Sequence, residues 1–209
     1  MYKRYIKRWL DFVLALIAIV ILSPVFAVVS LLVRVKIGKP VFFSQERATI
    51  HKKKFYIKKF RTMVDARDSE GNYLPDNERV TPLGKALRSS SLDELPEIAE
   101  IVKGNLSIIG PRPLPVSYNE FYTEREKKRF EVRAGLIPPE VLYQNVQPTW
   151  EEQLEYEAAY AENTSFMLDL KILIAVFKGL FIRYSEDYGE YVREPLHVER
   201  QRQKEVIKQ

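Results

Sequence analysis

Apolar and polar positions divide this chain unevenly, and its longest apolar run comes first. Residues 12 to 33, within "DFVLALIAIVILSPVFAVVSLLVRVK", carry no charge. As a continuous helix they measure about 33 Å at 1.5 Å per residue, enough to span a hydrocarbon core. Lys3, Arg4, Lys7 and Arg8 precede the run, and Arg34, Lys36 and Lys39 follow it. The positive-inside rule therefore favours both ends on one side, the cytoplasmic one. Pro24 supplies a means of return: it has no N–H for the carbonyl four residues back and its ring crowds that turn, so a kink is predicted at Ser23-Pro24. The Ser23 hydroxyl can bond the freed carbonyl. Two arrangements fit these residues. One is a helix-break-helix that enters a leaflet and re-emerges on the same face, its Lys and Arg stems snorkelling to the headgroups; the other is a kinked helix that spans. A cleaved signal peptide fits worse, because the run is longer than an ordinary h-region and no small-residue cleavage site follows it.

Beyond Gly38-Lys39-Pro40 the pattern changes period. "PVFFSQER" and "KKFYIKKFRTM" are rich in aromatic and β-branched residues and predict two short strands or a hairpin. A polar segment from Asp65 to Arg79 reads as a loop. "TPLGKALRSSSLDELPEIAEIVKG" predicts a short helix, a serine-rich junction and a second helix ended by Gly104. The stretch from Tyr118 to Phe130 is charged and predicted helical. "WEEQLEYEAAYAEN" predicts a helix exposed on most of its circumference. Residues 166 to 182 are strongly apolar but include Asp169, Lys171 and Lys178, which predicts a core or membrane-interface helix. The charged tail after Tyr184 is expected to be partly disordered. The fold class is α+β, mainly helical: residues 1–36 form the membrane helix, and 37–209 form one small domain with a tail from about 184.

A formal charge of +5 suits an anionic membrane surface or an anionic substrate such as a diphosphate. Basic residues are interspersed with acidic ones and form no single stripe, so no nucleic-acid partner is expected. The absence of cysteine excludes disulfides and thiolate zinc sites. His51 and His197 lie far apart and lack ligand-spaced companions, which argues against a histidine metal cluster or a serine-type triad. There is no P-loop and no GxGxxG, so a nucleotide would have to be held in another way.

Candidate chemistry concentrates at "RSSSLDELP". Ser91 and Glu94 have capping-box spacing, and Asp93 in the first turn suits the positive end of a helix dipole, so a purely structural account of both carboxylates stands. The alternative comes from their company: Arg88, the basic strand Lys58-Lys59-Phe60-Arg61, and "GPRP" at residues 110 to 113, where two prolines fix the backbone around Arg112. A metal-bound diphosphate requires hard oxygen ligands and planar cationic donors. A carboxylate that attacks phosphorus forms an acyl-phosphate.

These stretches, in the order "SP", "GKPVFFSQER", "KFRTM", "TPLGKALRSSSLDELPEI", "VKGNLSIIGPRPL" and "LDLKIL", resemble the small monotopic phosphoglycosyl transferases of bacterial glycoconjugate assembly. The resemblance runs from about residue 3 to 114 and resumes around 150 to 174. It implies transfer of a phosphosugar from a UDP-sugar to polyprenol phosphate, such as undecaprenyl phosphate, with release of UMP and dependence on Mg²⁺. It further implies a re-entrant helix turned at Ser23 and Pro24, interfacial amphipathic helices, and a catalytic domain on the cytoplasmic face of the bacterial inner membrane. Membrane lipids, a second copy of the chain and downstream glycosyltransferases are among the partners it implies. By the same resemblance Asp93 is the nucleophile, Glu94 its partner carboxylate, and both lie against the metal. Lys59, Arg88 and Arg112 match positions for phosphate and nucleotide contacts, with Arg61 on the same basic strand.

The resemblance breaks in one loop. Where the family usually reads close to VRPGITGWAQVNGRN, this chain has "VRAGLIPPEVLYQNVQP", so that Ala134, Pro138, Pro139 and Asn145 replace the expected proline, glycines and arginine. Thr49 stands in place of the usual glycine of "QERATI". Residues 134 to 148 are therefore expected to set substrate choice, with Tyr143, Gln144 and Asn145 offering contacts to sugar groups. Two rival readings remain: a catalytically silent nucleotide-sugar sensor or assembly scaffold, and a basic membrane-surface adaptor in which Asp93 and Glu94 only cap a helix.

Overall fold

The computed structural model describes residues 1–143, 148–182 and 193–207. The chain is mainly helical with a little strand. By packing it divides into two compact units, one made of residues 1–11, 46–55 and 104–209, the other of residues 12–45 and 56–103.

A π-helical turn, Tyr2–Ile6, leads into α1, Lys7–Lys36. The helix remains continuous through Pro24. The carbonyl that Pro24 leaves without its N–H partner is that of Val20, and the Ser23 hydroxyl donates to it at 2.8 Å. A backbone group freed in an apolar helix is thus satisfied one residue before the proline. The segment is long and apolar enough to cross a membrane, and only 11% of its most apolar window is buried.

In the second unit the C-terminal half of α1 is covered on one narrow stripe. Val29 and Val33 pack with Phe60 and Leu87, joined by Phe26, Val41, Leu83, Leu92 and Leu95. Phe26, Phe42 and Phe60 form a tilted ring cluster with centroids 5.0 to 5.9 Å apart. Strands β1, Phe42–Ala48, and β2, Lys54–Phe60, pair as the hairpin expected. The segment after β2 contains a single helical turn, α2, Asp76–Arg79. Next comes α3, Pro82–Ser89, whose Thr81 hydroxyl accepts from the Gly84 N–H at 3.0 Å with Pro82 at the first helical position. Gly84 faces the backbone of Thr62, where a Cβ would lie 2.0 Å from the Thr62 oxygen. Only glycine allows that approach. A 3₁₀ turn, Leu92–Glu97, and α4, Ile98–Lys103, complete the unit.

In the first unit β3, Ser107–Ile109, pairs in parallel with β4, Gly135–Ile137, a pairing absent from the sequence reading. Gly110 and Gly135 touch there: a Cβ on Gly135 would lie 2.0 Å from the Gly110 nitrogen. Helix α5, Trp150–Asn163, starts with a complete capping box between Thr149 and Glu152. It is not the largely exposed helix expected. Trp150, Gln153, Leu154, Glu157, Ala158, Tyr160 and Ala161 are all buried, because the polar members Gln153 and Glu157 are paired inside the unit. The stretch from 118 to 130 is likewise not one helix but two 3₁₀ turns, Val116–Glu120 and Glu126–Glu131. Tyr118 and Phe130 in these turns and Tyr122 between them point into a core with Trp150, Leu154 and Leu196. Leu196 opens α7, Leu196–Ile207, so the tail, expected to be partly disordered, carries a helix anchored by a fully buried residue.

Helix α6, Phe166–Ile182, buries Ile172 and Asp169 and exposes Phe166, Met167, Leu170, Ile174 and Phe177. Asp169 accepts from Tyr2 and Tyr160 hydroxyls, each at 2.6 Å, and pairs with Lys7 at 2.7 Å. Lys7 is therefore a buried ion-pair partner and not one of the snorkelling lysines.

Candidate active site

The carboxylates singled out in the sequence lie in the second unit, on the 3₁₀ turn that follows α3. Ser89 and Ser90 donate their hydroxyls back to the Ala86 carbonyl, at 3.0 and 2.8 Å, closing the helix end. Ser91 then turns left-handed, with φ +55° and ψ +17°. A non-glycine residue pays steric energy there, and such conformations concentrate at functional turns. The capping box does not form: an N-cap residue is extended, Ser91 is not, and its side chain makes no cap bond.

The Glu94 carboxylate goes instead to the Lys59 ammonium. Lys59 follows Phe55 and Ile57 on the inward parity of β2 and reaches Glu97 as well, at 3.3 Å. Glu97 is buried and was not foreseen as part of the site, although its position four residues after Asp93 on a helical turn is a readable signal. Arg88 Nε donates to the Thr62 hydroxyl at 3.1 Å, fixing the base of its side chain to the segment after β2. Arg61 is engaged locally through all three guanidinium nitrogens, with the Met63 carbonyl at 2.9 Å, the Lys39 carbonyl at 2.8 Å and Asp65 at 2.6 Å.

Asp93 is buried, and among the described residues no lysine or arginine forms an ion pair with it. Burial raises its carboxyl above the ordinary value, with the Lys59 charge opposing the shift and the Glu94 charge adding to it. The two carboxylates thus differ: Glu94 shares a lysine with Glu97, and Asp93, among the described residues, has a hydrogen bond only to its own backbone, with the Lys59 and Arg88 charges acting on it without an ion pair. Among the described residues no group of three or more His, Asp or Glu side chains is placed to hold a metal.

Arg112 and Tyr143 belong to the first unit. Arg112 is exposed, and its backbone is fastened to the buried Arg129–Glu157 pair. Tyr143 is half exposed and stacks on Tyr156 with ring centroids 3.8 Å apart. Gln144 and Asn145 lie outside the described residues. The start of the divergent loop is tied in. Thr49 donates to the Asn105 carbonyl at 2.8 Å and accepts from the Ala134 N–H at 3.1 Å. The two departures from the family pattern therefore meet. A proline at 134 has no N–H to give and a glycine at 49 no hydroxyl to receive it.

The whole of residues 2–183 matches the family model described as bacterial sugar transferase. The uncharacterized sugar transferase EpsL of Bacillus subtilis (strain 168) is 41% identical over 177 residues, which cover 85% of this chain and 88% of that protein. The UDP-glucose:undecaprenyl-phosphate glucose-1-phosphate transferases of Klebsiella pneumoniae and Escherichia coli (strain K12) are each 34% identical, and the matched region spans 40% of their length. The chain belongs to the bacterial sugar transferase family. It is accordingly a transferase, and its helix α1 is long and apolar enough to associate with a membrane.

Glu140, on the divergent loop, provides a pH test of this architecture. Burial and the neighbouring Glu157 raise its carboxyl from an ordinary 4.5 to about 7, against the opposing charges of Arg112 and Arg129. The folded state then holds this proton more tightly than the unfolded state, so stability is present below about 4.5 and lost as pH rises through 7. Glu140→Gln removes that loss. Its thermal midpoint in detergent should match that of the parent at pH 5 and exceed it at pH 8, and equal slopes with pH for both proteins would contradict the assignment.

Proposed function

We propose that the chain is a phosphoglycosyl transferase that moves a phosphosugar from a UDP-sugar to a polyprenol phosphate and releases UMP. The observation that carries this reading is the asymmetry of the acidic pair. Lys59 is committed to Glu94 and Glu97, which leaves Asp93 as a buried carboxylate without a paired cation among the described residues, set on a left-handed turn. Such a carboxylate is held in place and is not neutralised by a fixed partner, as a nucleophile requires.

In the first step an Asp93 oxygen attacks the β-phosphorus of the UDP-sugar. The bond from that phosphorus to the bridging oxygen breaks, and UMP departs with the bonding electrons. Asp93 then carries the phosphosugar as an acyl-phosphate. In the second step a phosphate oxygen of polyprenol phosphate attacks the same phosphorus, which restores the Asp93 carboxylate and forms polyprenyl diphosphate sugar. Arg88 and Arg112 supply planar donors for phosphate oxygens. Magnesium characteristically takes one or two carboxylates with phosphate oxygens and water, a donor set that Asp93 and Glu94 fit. When bound, it would offset the charge of the diphosphate against the incoming carboxylate. Relatives named for UDP-glucose and undecaprenyl phosphate, and another named for UDP-N-acetylgalactosamine, support the substrate classes.

The membrane arrangement belongs to the same proposal. Helix α1 enters one leaflet and returns, and the exposed apolar residues of α6 lie at the interface, so that a soluble donor and a lipid acceptor meet at headgroup level. The positive charge at both ends of α1 supports it, as does the main-chain bond that Pro24 removes from the helix, whose Val20 carbonyl takes the Ser23 hydroxyl instead.

Two experiments test these statements. Purified protein given a panel of UDP-sugars with Mg²⁺ and polyprenol phosphate should release UMP from at least one of them. Asp93→Asn should lose turnover to well below about a tenth of the parent rate while remaining folded, since an amide cannot attack phosphorus. Nucleotide binding without UMP release would favour the sensor reading, and an active Asp93→Asn would remove the nucleophile. For topology, the chain has no cysteine, so Tyr2→Cys and Lys39→Cys each carry a single thiol. Both should resist an impermeant label applied outside intact cells; labelling of either one alone would mean that the helix spans.

A further inference from the structure

We infer that Arg129 and Glu157 are positioning residues for Arg112: a buried ion pair that holds the backbone on both sides of that residue and so fixes where its guanidinium is presented. This rests on the role proposed above for Arg112 at a phosphate.

Pro111 and Pro113 have no N–H, so the Arg112 amide is the one main-chain donor across the three residues of the "PRP" segment. It donates to Glu157 Oε1 at 3.0 Å. The Arg112 carbonyl accepts from Arg129 Nη2, and Arg129 Nε is paired with Glu157 Oε2 at 2.6 Å. The guanidinium and the carboxylate therefore bond to each other and grip the N–H and the C=O of a single exposed residue. Of the two other carbonyls in the segment, that of Pro111 takes the Gly135 N–H at 2.9 Å.

The pair is itself set in a rigid frame. Arg129 and Glu157 are 2% and 0% exposed at their side chains. Gln153, one turn earlier on α5, donates to Glu157 Oε1 at 3.0 Å and accepts from Arg193 at 2.6 Å, and Arg193 lies over the Trp150 ring at 3.5 Å. Burying two charges is an expensive way to hold a loop, because a buried pair seldom exceeds an apolar packing of the same volume in stability. What the pair adds is direction. The planar fork of Arg129 holds the Arg112 carbonyl and, at the same time, the Glu157 carboxylate that takes the Arg112 N–H, a rigid two-way geometry that the single ammonium of a lysine does not offer.

The test uses the full chain in detergent, with kcat and KM for the UDP-sugar and the thermal midpoint read for four proteins: parent, Arg129→Lys, Arg112→Ala and the double variant. Arg129→Lys keeps the charge near Glu157 but loses the fork. It should raise KM about tenfold, the scale of one charge-assisted contact, with kcat changed much less. In the Arg112→Ala background the same change should alter kcat/KM less than twofold, while its effect on the thermal midpoint persists. Glu157→Gln, which keeps an acceptor for the Arg112 amide, repeats the cycle should Arg129→Lys fail to fold. Equal losses of kcat/KM in both backgrounds, or no loss in a folded variant, would overturn the positioning role. If Arg112→Ala alone is neutral while UMP is still released, the error lies in the function given to Arg112 and the clamp has none, although the transferase reading stands.

Discussion

A carboxylate removed from water must be paired, protonated or given hydrogen bonds, and most of this structure can be followed from that constraint. The chain buries Asp11, Asp93, Glu97, Glu100, Glu126, Glu157 and Asp169. Six of them have identified partners. Asp11 accepts from Ser107 and the Ile108 amide, and Asp169 from Lys7, Tyr2 and Tyr160. Glu157 is held by Arg129, Glu126 by Arg200, Glu100 by Lys103, and Glu97 by Lys59. Asp93 is the exception among them: among the described residues its carboxylate has no ion pair and no hydrogen bond beyond its own backbone, and burial raises its carboxyl. The exception falls on the residue to which the chemistry is assigned.

The same constraint explains how a membrane helix is joined to polar surroundings within the first unit. Tyr2, Lys7 and Asp11 stand at the start of α1 and direct polar groups toward α6 and β3, where Asp169 and Ser107 receive them. In the apolar stretch that follows, the free Val20 carbonyl is satisfied within its own turn by Ser23. Hydrogen bonding is settled locally where water is excluded and across elements where a core is available.

Element types were legible where periodicity and punctuation agreed. The hairpin, α3, α5 and α6 follow from patterns that tertiary context did not override. Two kinds of feature were not legible. The glutamate-rich face of α5 reads as solvated, since nothing local shows that Arg129, far away in the chain, neutralises Glu157. The β3–β4 pair is only three residues long on each side, too short for an alternation to register, and depends on the contact between Gly110 and Gly135. At the candidate site Asp93, Glu94, Lys59 and Arg88 were readable by residue type and spacing. Glu97 was overlooked because Glu94 already satisfied the capping-box pattern, a pattern that the left-handed Ser91 does not make. The bond between Thr49 and Ala134 could not be read from either position alone, because each departure makes sense only beside the other.

The central claim is that Asp93 becomes covalently bonded to the phosphosugar, and the most direct measurement is the intact mass of the protein after incubation with a UDP-sugar and Mg²⁺ in the absence of polyprenol phosphate. The account predicts a mass increment of one phosphosugar, located by fragmentation on the peptide that contains Asp93, and its disappearance when polyprenol phosphate is added. An unmodified protein that releases UMP only when the lipid acceptor is present, or an increment on another residue, would contradict it.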